Sequence, residues 1–199
     1  MKTYPLPALP KIKAIVVGAS AGGVEALLNL YGELPRGFGL PIITVLHLPD
    51  EHRSQLAEVF ARRVALPVRE AADKLAIEPG TLYFATPGYH LSVERDFSLS
   101  LSQEDRVNHS RPAIDYLFES AADAYGEHLL AILLTGANHD GAQGLARVKE
   151  RGGLTLVQDP REAHVPTMPQ AALALNCPDF ILPLRGIGRL LVELERTSC

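Results

Sequence analysis

Continuous apolar runs alternate with amphipathic segments along this chain. Three runs, at 14–17, 41–47 and 129–135, are short and rich in Ile, Val and Leu, which is typical of strands buried on both faces. Shorter strands are predicted at 81–85, 154–158 and 180–182. Helical spacing predicts helices over 23–33, 53–64, 112–124, 141–151, 168–175 and 187–195. This alternation favours a mostly parallel sheet covered by helices on both faces.

Two short segments, 90–94 and 97–102, alternate polar and apolar residues around Arg95 and Asp96. The pattern predicts an antiparallel hairpin at one edge of the sheet. The sequence contains no repeat, low-complexity tract or interdomain linker. The expected fold is therefore one α/β domain over 1–199, doubly wound and Rossmann-like, with 1–12 as an N-terminal arm.

Composition narrows the range of functions. The chain has 199 residues, 47% hydrophobic and 21% charged, enough to bury the core of one domain. Its net charge of −4 argues against nucleic-acid partners. No apolar run reaches the roughly 18–20 residues of a membrane span, and no signal-peptide core is present, so we expect a cytoplasmic protein. Cys177 and Cys199 form neither a disulfide framework nor a zinc site, and we expect no metal or cofactor.

The first strand ends in the segment Gly18-Ala-Ser-Ala-Gly-Gly23, and a helical pattern follows at once. A tight turn of small residues exposes the Ser20 hydroxyl beside the unpaired amides of the first helical turn. The segment matches G-x-S-x-G, which suits a nucleophile with an oxyanion site. A Rossmann-type phosphate loop is the alternative, although neither G-x-G-x-x-G nor Gly-Lys-Ser/Thr is present. The segment alone leaves both interpretations open.

Polar residues of complementary chemistry follow three predicted strands. Ser20 ends the first strand, His47 ends the next, and Asp140 follows the most apolar one. The carboxyl ends of parallel strands meet at one edge, where a histidine can deprotonate a serine and a carboxylate can orient the imidazole. We therefore expect the His47 ring to lie between Ser20 and Asp140. Taken singly, His47 could be a structural histidine, and Asp140 the N-cap of the helix beginning at Gly141.

An ordered set of motifs from about residue 13 to residue 194 resembles the catalytic domain of the chemotaxis protein-glutamate methylesterases (CheB). Gly18–Ala26 is similar to the family's G-A-S-T-G-G-T-E-A, and Leu133–Ala142 is similar to L-T-G-M-G-x-D-G-A. The other similar segments are Leu46-His-Leu-Pro49, Phe60-Ala-Arg-Arg63, Gly80–Leu91, Arg111-Pro-Ala-Ile-Asp115, Gln158-Asp159 and Met168-Pro169.

The resemblance implies a doubly wound α/β sheet and a catalytic triad of Ser20, His47 and Asp140. It implies that the backbone amides of Ala21 and Ala137 are the oxyanion donors. The implied reaction is hydrolysis of γ-glutamyl methyl esters on the cytoplasmic helices of methyl-accepting chemotaxis receptors, without a cofactor. Deamidation of receptor glutamines is a second activity that the resemblance implies.

Three further residues, His90, Arg111 and Met168, match family positions. The resemblance gives them a candidate role in substrate binding, with packing as the alternative for His90 and Arg111. In the segment similar to L-T-G-M-G-x-D-G-A, Ala137 replaces Met and Asn138 replaces Gly. Elsewhere Ala21 replaces Thr, Leu46 replaces Gln, and Thr167 replaces the Gly before Met168. A donated backbone N–H tolerates a changed side chain, and Asn is the non-glycine residue best suited to positive φ. We therefore expect the oxyanion geometry to persist and the shape of the pocket to differ from that of the family.

About a dozen residues precede the first strand, whereas family members usually carry an N-terminal phospho-receiver domain. We therefore expect no receiver domain, and either an isolated catalytic domain or an enzyme controlled by a separate regulatory partner. Two other functions stay open. One is a small-ester hydrolase of the α/β-hydrolase type, which would order its triad Ser, Asp, His and use Asp140 or Asp159 with His164. The other is a non-catalytic binding module for receptor arrays.

Overall fold

The structure, a computed structural model, describes residues 10–48, 55–176 and 178–198. The strands are β1 (Ala14–Ala19), β2 (Ile42–Leu46), β3 (Val68–Glu70), β4 (Leu82–Phe84), β5 (His90–Val93), β6 (Leu99–Ser102), β7 (Leu129–Leu133), β8 (Leu154–Gln158) and β9 (Phe180–Leu182). The helices are α1 (Gly23–Gly32), α2 (Leu56–Ala61), α3 (Ile114–Tyr125), α4 (Ala142–Glu150), α5 (Thr167–Leu175) and α6 (Leu184–Ser198).

The main sheet has seven strands, all paired in parallel, in the order β3-β4-β2-β1-β7-β8-β9. Strand β1 is central, with Ala19 paired to Leu46 of β2 and Gly18 paired to Leu133 of β7. The chain leaves β1 toward β2 on one side and later enters β7 on the other. The strand order therefore reverses at β1, and a crevice opens at the carboxyl ends of these three strands.

Each face of the sheet carries its own core, because successive side chains of a strand point to opposite faces. Ile15 and Val17 of β1 pack with α1 and α6 on one face. Ala14 and Val16 pack on the other face in a cluster that includes α3, α4 and α5. Strands β1, β2 and β7 are buried along their whole lengths, as their continuous apolar runs predict.

The structure confirms the predicted α/β, doubly wound, mostly parallel fold, and several details differ. The predicted hairpin is present, but β5 and β6 form a separate two-stranded sheet. Strand β3 was not predicted, because its three residues include two exposed charged ones. Helix α6 begins three residues earlier than expected, at Leu184. Residues 1–9 of the predicted arm, residues 53 and 54 of the predicted second helix, and both cysteines lie outside the described residues.

No helix within the described residues is both long enough and apolar enough to cross a bilayer.

Helices α3 and α4 pack at close range through Gly144. A Cβ placed on Gly144 would lie 2.6 Å from the Phe118 Cβ and 3.0 Å from the Asp115 Cα. Real Cβ atoms do not approach other heavy atoms this closely, and the Asp115 backbone cannot move aside as a flexible side chain could. The spacing between the two helices therefore requires glycine at this position.

We predict that Gly144→Ala destabilises the protein by about 1–3 kcal/mol, because the added methyl group forces α3 and α4 apart. The matched control is Gly32→Ala at the end of α1, where a Cβ would meet nothing within 4 Å. That change should be neutral or stabilising by up to about 1 kcal/mol, the difference in helix propensity. Urea unfolding followed by circular dichroism measures both. Equal effects of the two substitutions would contradict the packing argument.

Candidate active site

Ser20 follows β1 in a turn fixed by backbone hydrogen bonds. Its N–H donates to the Thr135 carbonyl at 2.9 Å, and its own carbonyl accepts from the Gly23 N–H at 2.7 Å. Gly22 has a φ of 79°, a left-handed conformation that favours glycine. A Cβ on Gly136 would lie 3.0 Å from the Ser20 Cβ, so glycine is also needed there. The turn leaves Ser20 half-buried at the crevice.

The amides predicted to form the oxyanion site are available. Within the described part of the chain, neither the Ala21 nor the Ala137 N–H donates a hydrogen bond, and both residues are exposed. The two loops that carry them are joined by Thr135, whose hydroxyl donates to the Ala21 carbonyl at 2.9 Å and accepts from the Val165 N–H at 2.9 Å. Thr135 therefore links the loop that carries the Ala21 amide to the loop that carries the Ala137 amide.

Asp140 is fully buried and accepts hydrogen bonds from four groups. The donors are the Ile114 N–H (2.7 Å), the Asp115 N–H (3.0 Å), Asn108 Nδ2 (3.2 Å) and His47 Nε2 (2.8 Å). Burial alone would raise the pKa of this carboxyl, but the hydrogen bonds from His47 and the two amides hold the pKa below its usual value. Asp140 therefore stays ionised.

Asp140 caps a helix, but that helix is α3 and not α4, which follows Asp140 directly in the chain. The N-cap of α4 is Gly141, with a φ of 94°, and it makes no side-chain cap hydrogen bond. The Asp140 carboxylate instead binds the first two amides of α3. A negative charge is favourable at a helix N-terminus, so the cap and the contact with His47 are compatible.

His47 follows β2, and its N–H donates to the Ala19 carbonyl at 3.1 Å. Its side chain is 11% exposed, and Nε2 lies 2.8 Å from Asp140 Oδ2. The carboxylate only accepts, so Nε2 carries the proton and Nδ1 presents a lone pair. That lone pair faces Asn138 Nδ2 at 3.2 Å. Among the described residues the Ser20 hydroxyl has no hydrogen-bond partner, so the structure joins His47 to Asp140 and to Asn138, but not to Ser20.

Asn138 also differs from expectation in its backbone. The described non-glycine residues with positive φ are Lys74, Phe97, Asn108 and His109. Asn138 is not among them, so the suitability of asparagine for positive φ does not explain its presence. Its side chain, through the contact with His47, is the feature that distinguishes this position.

Two polar residues at the site, Asp115 and Asn108, were not predicted from the sequence. Asp115 lies in the first turn of α3, and its Oδ1 accepts from the Gly144 N–H of α4 at 2.6 Å. Asn108 Nδ2 donates to Asp115 Oδ2 at 2.8 Å as well as to Asp140. Asp140, which lies just before α4, therefore binds amides of α3, and Asp115, which lies in α3, binds an amide of α4. The sequence signal that points to Asp115 is its place as the last residue of the segment Arg111–Asp115, which resembles a family motif.

Burial raises the pKa of Asp115 to about 6, and the nearby negative charge of Asp140 contributes to the rise. The hydrogen bonds from Gly144 and Asn108 oppose it. The two neighbouring carboxyls therefore differ in their protonation: Asp140 is ionised across the neutral range, while Asp115 titrates near its lower limit.

The three residues considered for substrate binding occupy different environments. His90 is fully buried; its Nδ1 accepts from the Ala113 N–H, its Nε2 donates to the Asp105 carbonyl, and its ring stacks on Tyr116. Substrate contact does not fit this position, and packing does. Met168 is also fully buried, against the Gly136 turn.

Arg111 is half-buried and donates from Nη1 to two backbone carbonyls, those of Gln103 and Glu104. Together with His47 and Arg106 it lines a cleft of ≈ 170 Å³. Substrate contact by Arg111 therefore stays a prediction. In the described ranges, no group of three or more His, Cys, Asp or Glu residues could hold a metal ion.

The fold and the site define a doubly wound α/β protein with a serine, a histidine and a buried carboxylate at the carboxyl ends of three neighbouring strands. Comparison with known families gives the particular group. Residues 15–191 match the family model described as CheB methylesterase. The chain belongs to the CheB methylesterase family.

Individual relatives agree with this assignment. A Leptospira interrogans relative is 41% identical over 186 residues, which cover 94% of this chain and 96% of the relative. The Methanospirillum hungatei protein-glutamate methylesterase/protein-glutamine glutaminase 2 is 38% identical over 92% of this chain, but this chain spans only 53% of it. The crystal structure of the Thermotoga maritima CheB methylesterase catalytic domain superposes with a TM-score of 0.87 at 32% identity, covering 92% of this chain and 98% of that one.

We predict that the Asp115 carboxyl titrates near pH 6. Because this pKa lies above the value of roughly 3.9 in an unfolded chain, folding stability due to Asp115 is highest at low pH and is lost as pH rises from about 4 to about 6. A ¹³C NMR titration of the aspartate carboxyl carbons measures this pKa, with Asp115→Asn identifying the signal.

Asn108→Gly should raise the midpoint further, since it removes the hydrogen bond that lowers the pKa of Asp115. Glycine is the appropriate replacement because Asn108 has a φ of 50°. An Asp115 midpoint at or below pH 4 would contradict the buried, charge-opposed environment described above.

Proposed function

We propose that this chain hydrolyses γ-glutamyl methyl esters on the cytoplasmic helices of methyl-accepting chemotaxis receptors. The observation that carries the proposal is the hydrogen bond between His47 Nε2 and the buried Asp140, at strand ends next to Ser20. Family membership and relatives named protein-glutamate methylesterase support the substrate class. We place the activity in the cytoplasm, where the receptor helices lie.

In the proposed mechanism His47 Nδ1 takes the Ser20 proton, because Nε2–H is held by Asp140. The serine oxygen attacks the ester carbonyl carbon, and the resulting oxyanion binds the free amides of Ala21 and Ala137. The intermediate collapses, and methanol leaves with the proton returned by His47. Water then attacks the glutamyl–serine ester by the same route and releases glutamate.

Asp140 has an electrostatic task in this scheme. When His47 takes the serine proton, an imidazolium forms beside a carboxylate that is already ionised and already desolvated. The carboxylate fixes the Nε2–H tautomer before the reaction and stabilises the positive charge during it. Because two amides of α3 hold Asp140 in place, it need not reorganise as the charge develops.

Deamidation of receptor glutamines is a second proposed activity of the same site. The relatives' names include protein-glutamine glutaminase. The chemistry needs no further residue, because an amide passes through the same glutamyl–serine ester, with ammonia leaving in place of methanol. His47 supplies the proton that the amide nitrogen requires to leave.

The geometry disfavours the α/β-hydrolase order of Ser, Asp, His. Asp159 is bound by the Arg161 guanidinium at 2.6 Å, and Asp140 is committed to His47. His164 is exposed and lies beside the Ser20 turn, since a Cβ placed on Gly22 would be 2.7 Å from the His164 Cβ. No hydrogen bond among the described residues links His164 to a carboxylate, so this arrangement lacks an acid to orient it.

We predict that Ser20→Ala and His47→Ala each lower methanol release from methylated receptor membranes by at least about 10³-fold, because both groups act in one proton transfer. His164→Ala should keep nearly full activity, which distinguishes the proposed triad from the alternative order. Ser92→Ala, in the separate hairpin sheet, controls for loss of an arbitrary serine. Circular dichroism checks that each variant folds.

Full turnover by Ser20→Ala would disprove the assigned nucleophile. Loss of activity in His164→Ala with retention in His47→Ala would favour the α/β-hydrolase order instead. An inactive, correctly folded wild-type protein that still binds receptor membranes would support the non-catalytic binding module.

A further inference from the structure

The Asn138 side chain is hydrogen-bonded to His47 Nδ1, the nitrogen that accepts the serine proton in the proposed mechanism. Its Nδ2 lies 3.2 Å from His47 Nδ1, and its Oδ1 accepts from the Asp140 N–H at 3.1 Å. The second contact fixes the orientation of the amide group, because an oxygen must face the Asp140 N–H. Asn138 is therefore the donor to His47, and the unprotonated Nδ1 is the acceptor.

An imidazole has one lone pair in the ring plane when it is neutral, and this lone pair lies on Nδ1 in His47. Nε2–H is used by Asp140. Ser20 and Asn138 must therefore compete for one acceptor position, and in this structure Asn138 holds it. The absence of a partner for the Ser20 hydroxyl among the described residues agrees with this competition.

We propose that Asn138 is a positioning residue that caps the base nitrogen of His47 and restrains Ser20 until the amide moves away. The inference rests on the proposed function. In the resting protein Asn138 holds the neutral Nε2–H tautomer in place; for reaction its amide turns aside and the Ser20 hydroxyl donates to Nδ1. Each turnover then includes the breaking of one hydrogen bond that a glycine at this position would not impose.

The substitution that tests this proposal is mild for the backbone. Asn138 has no positive φ, so Asn138→Ala introduces no backbone strain. The residue is half-buried on a loop and contributes no apolar core contact. The matched control is His139→Ala on the same loop, because the His139 side chain is exposed and, among the described residues, the His47 ring is hydrogen-bonded to Asp140 and Asn138 and not to His139.

The first measurement does not depend on activity. In ¹⁵N NMR spectra of the whole protein, Nδ1 of His47 should be unprotonated and hydrogen-bonded in the wild type. In a Ser20→Ala background, where no serine hydroxyl can take the vacated position, Asn138→Ala should move the Nδ1 resonance toward that of a free lone pair and leave the Nε2–H resonance in place, whereas His139→Ala should change neither. An Nδ1 resonance that is the same with and without Asn138→Ala in this background overturns the cap, independently of any activity measurement.

The second measurement is the rate of methanol release from methylated receptor membranes. Asn138→Ala should raise kcat by about 2- to 10-fold, the factor that corresponds to one ordinary hydrogen bond, with little change in KM. His139→Ala should match the wild type. An unchanged or lower kcat in a folded Asn138→Ala overturns the restraint and makes Asn138 a support for the base. If Asn138→Ala does not fold, Asn138→Gly, the residue type of the family motif, takes its place in both measurements.

The two failures are distinguishable. If the wild type and every variant release no methanol while the Nδ1 resonance shifts as expected, the proposed function fails and the cap stands. If the wild type is active and Ser20→Ala is not, but the Nδ1 resonance does not respond to Asn138→Ala, the proposed function stands and the cap fails.

Discussion

The buried charge of Asp140 is the constraint on which both the fold and the site depend. A carboxylate removed from water is costly unless its oxygens are satisfied, and deleting one partner of a buried charge costs about 3–5 kcal/mol. Here the partners come from three separate parts of the chain: the start of α3, the loop carrying Asn108, and the end of β2 with His47. Satisfying one charge therefore fixes the relative positions of these segments. The candidate base is oriented by the same interaction that holds α3 on the sheet.

The second constraint is close approach of backbone at the strand ends. Gly22 must be left-handed, and Gly136 must leave room for the Ser20 and Met168 side chains. Because these glycines have no side chains, the backbones of the two loops can approach each other closely. The Thr135 hydroxyl then links the loop that carries the Ala21 amide to the loop that carries the Ala137 amide. Parallel pairing of β1 with β2 and β7 brings the three strand ends together. The position of the crevice therefore follows from the sheet topology, whereas the identity of the side chains at the crevice follows from the local sequence.

Much of this arrangement could be predicted from the sequence, for physical reasons that also mark the limits. Continuous apolar runs identify fully buried strands, and glycine turns identify their ends, so Ser20, His47 and Asp140 could be placed at one edge. The helix that Asp140 caps could not be predicted, because its α3 partner lies some 25 residues away in sequence, and sequence adjacency points only to the helix that follows Asp140 directly. Asn108 and Asp115 were missed for the same reason, since their importance arises from tertiary contacts between loops.

The loop between β7 and α4, which carries Ala137 and Asn138, shows that a rule about backbone conformation does not predict what a side chain contacts. The tolerance of asparagine for positive φ predicts that the oxyanion geometry survives the replacement of Gly by Asn, yet Asn138 does not use that conformation. A glycine at this position would have no side chain to offer to Nδ1, whereas an asparagine offers an amide that reaches both the base and the backbone of the acid. The same loop therefore carries two separable features. The backbone N–H of Ala137 does not depend on the side chain that the residue carries, whereas Asn138 contributes a side-chain amide that contacts the one lone pair of the neutral His47 ring.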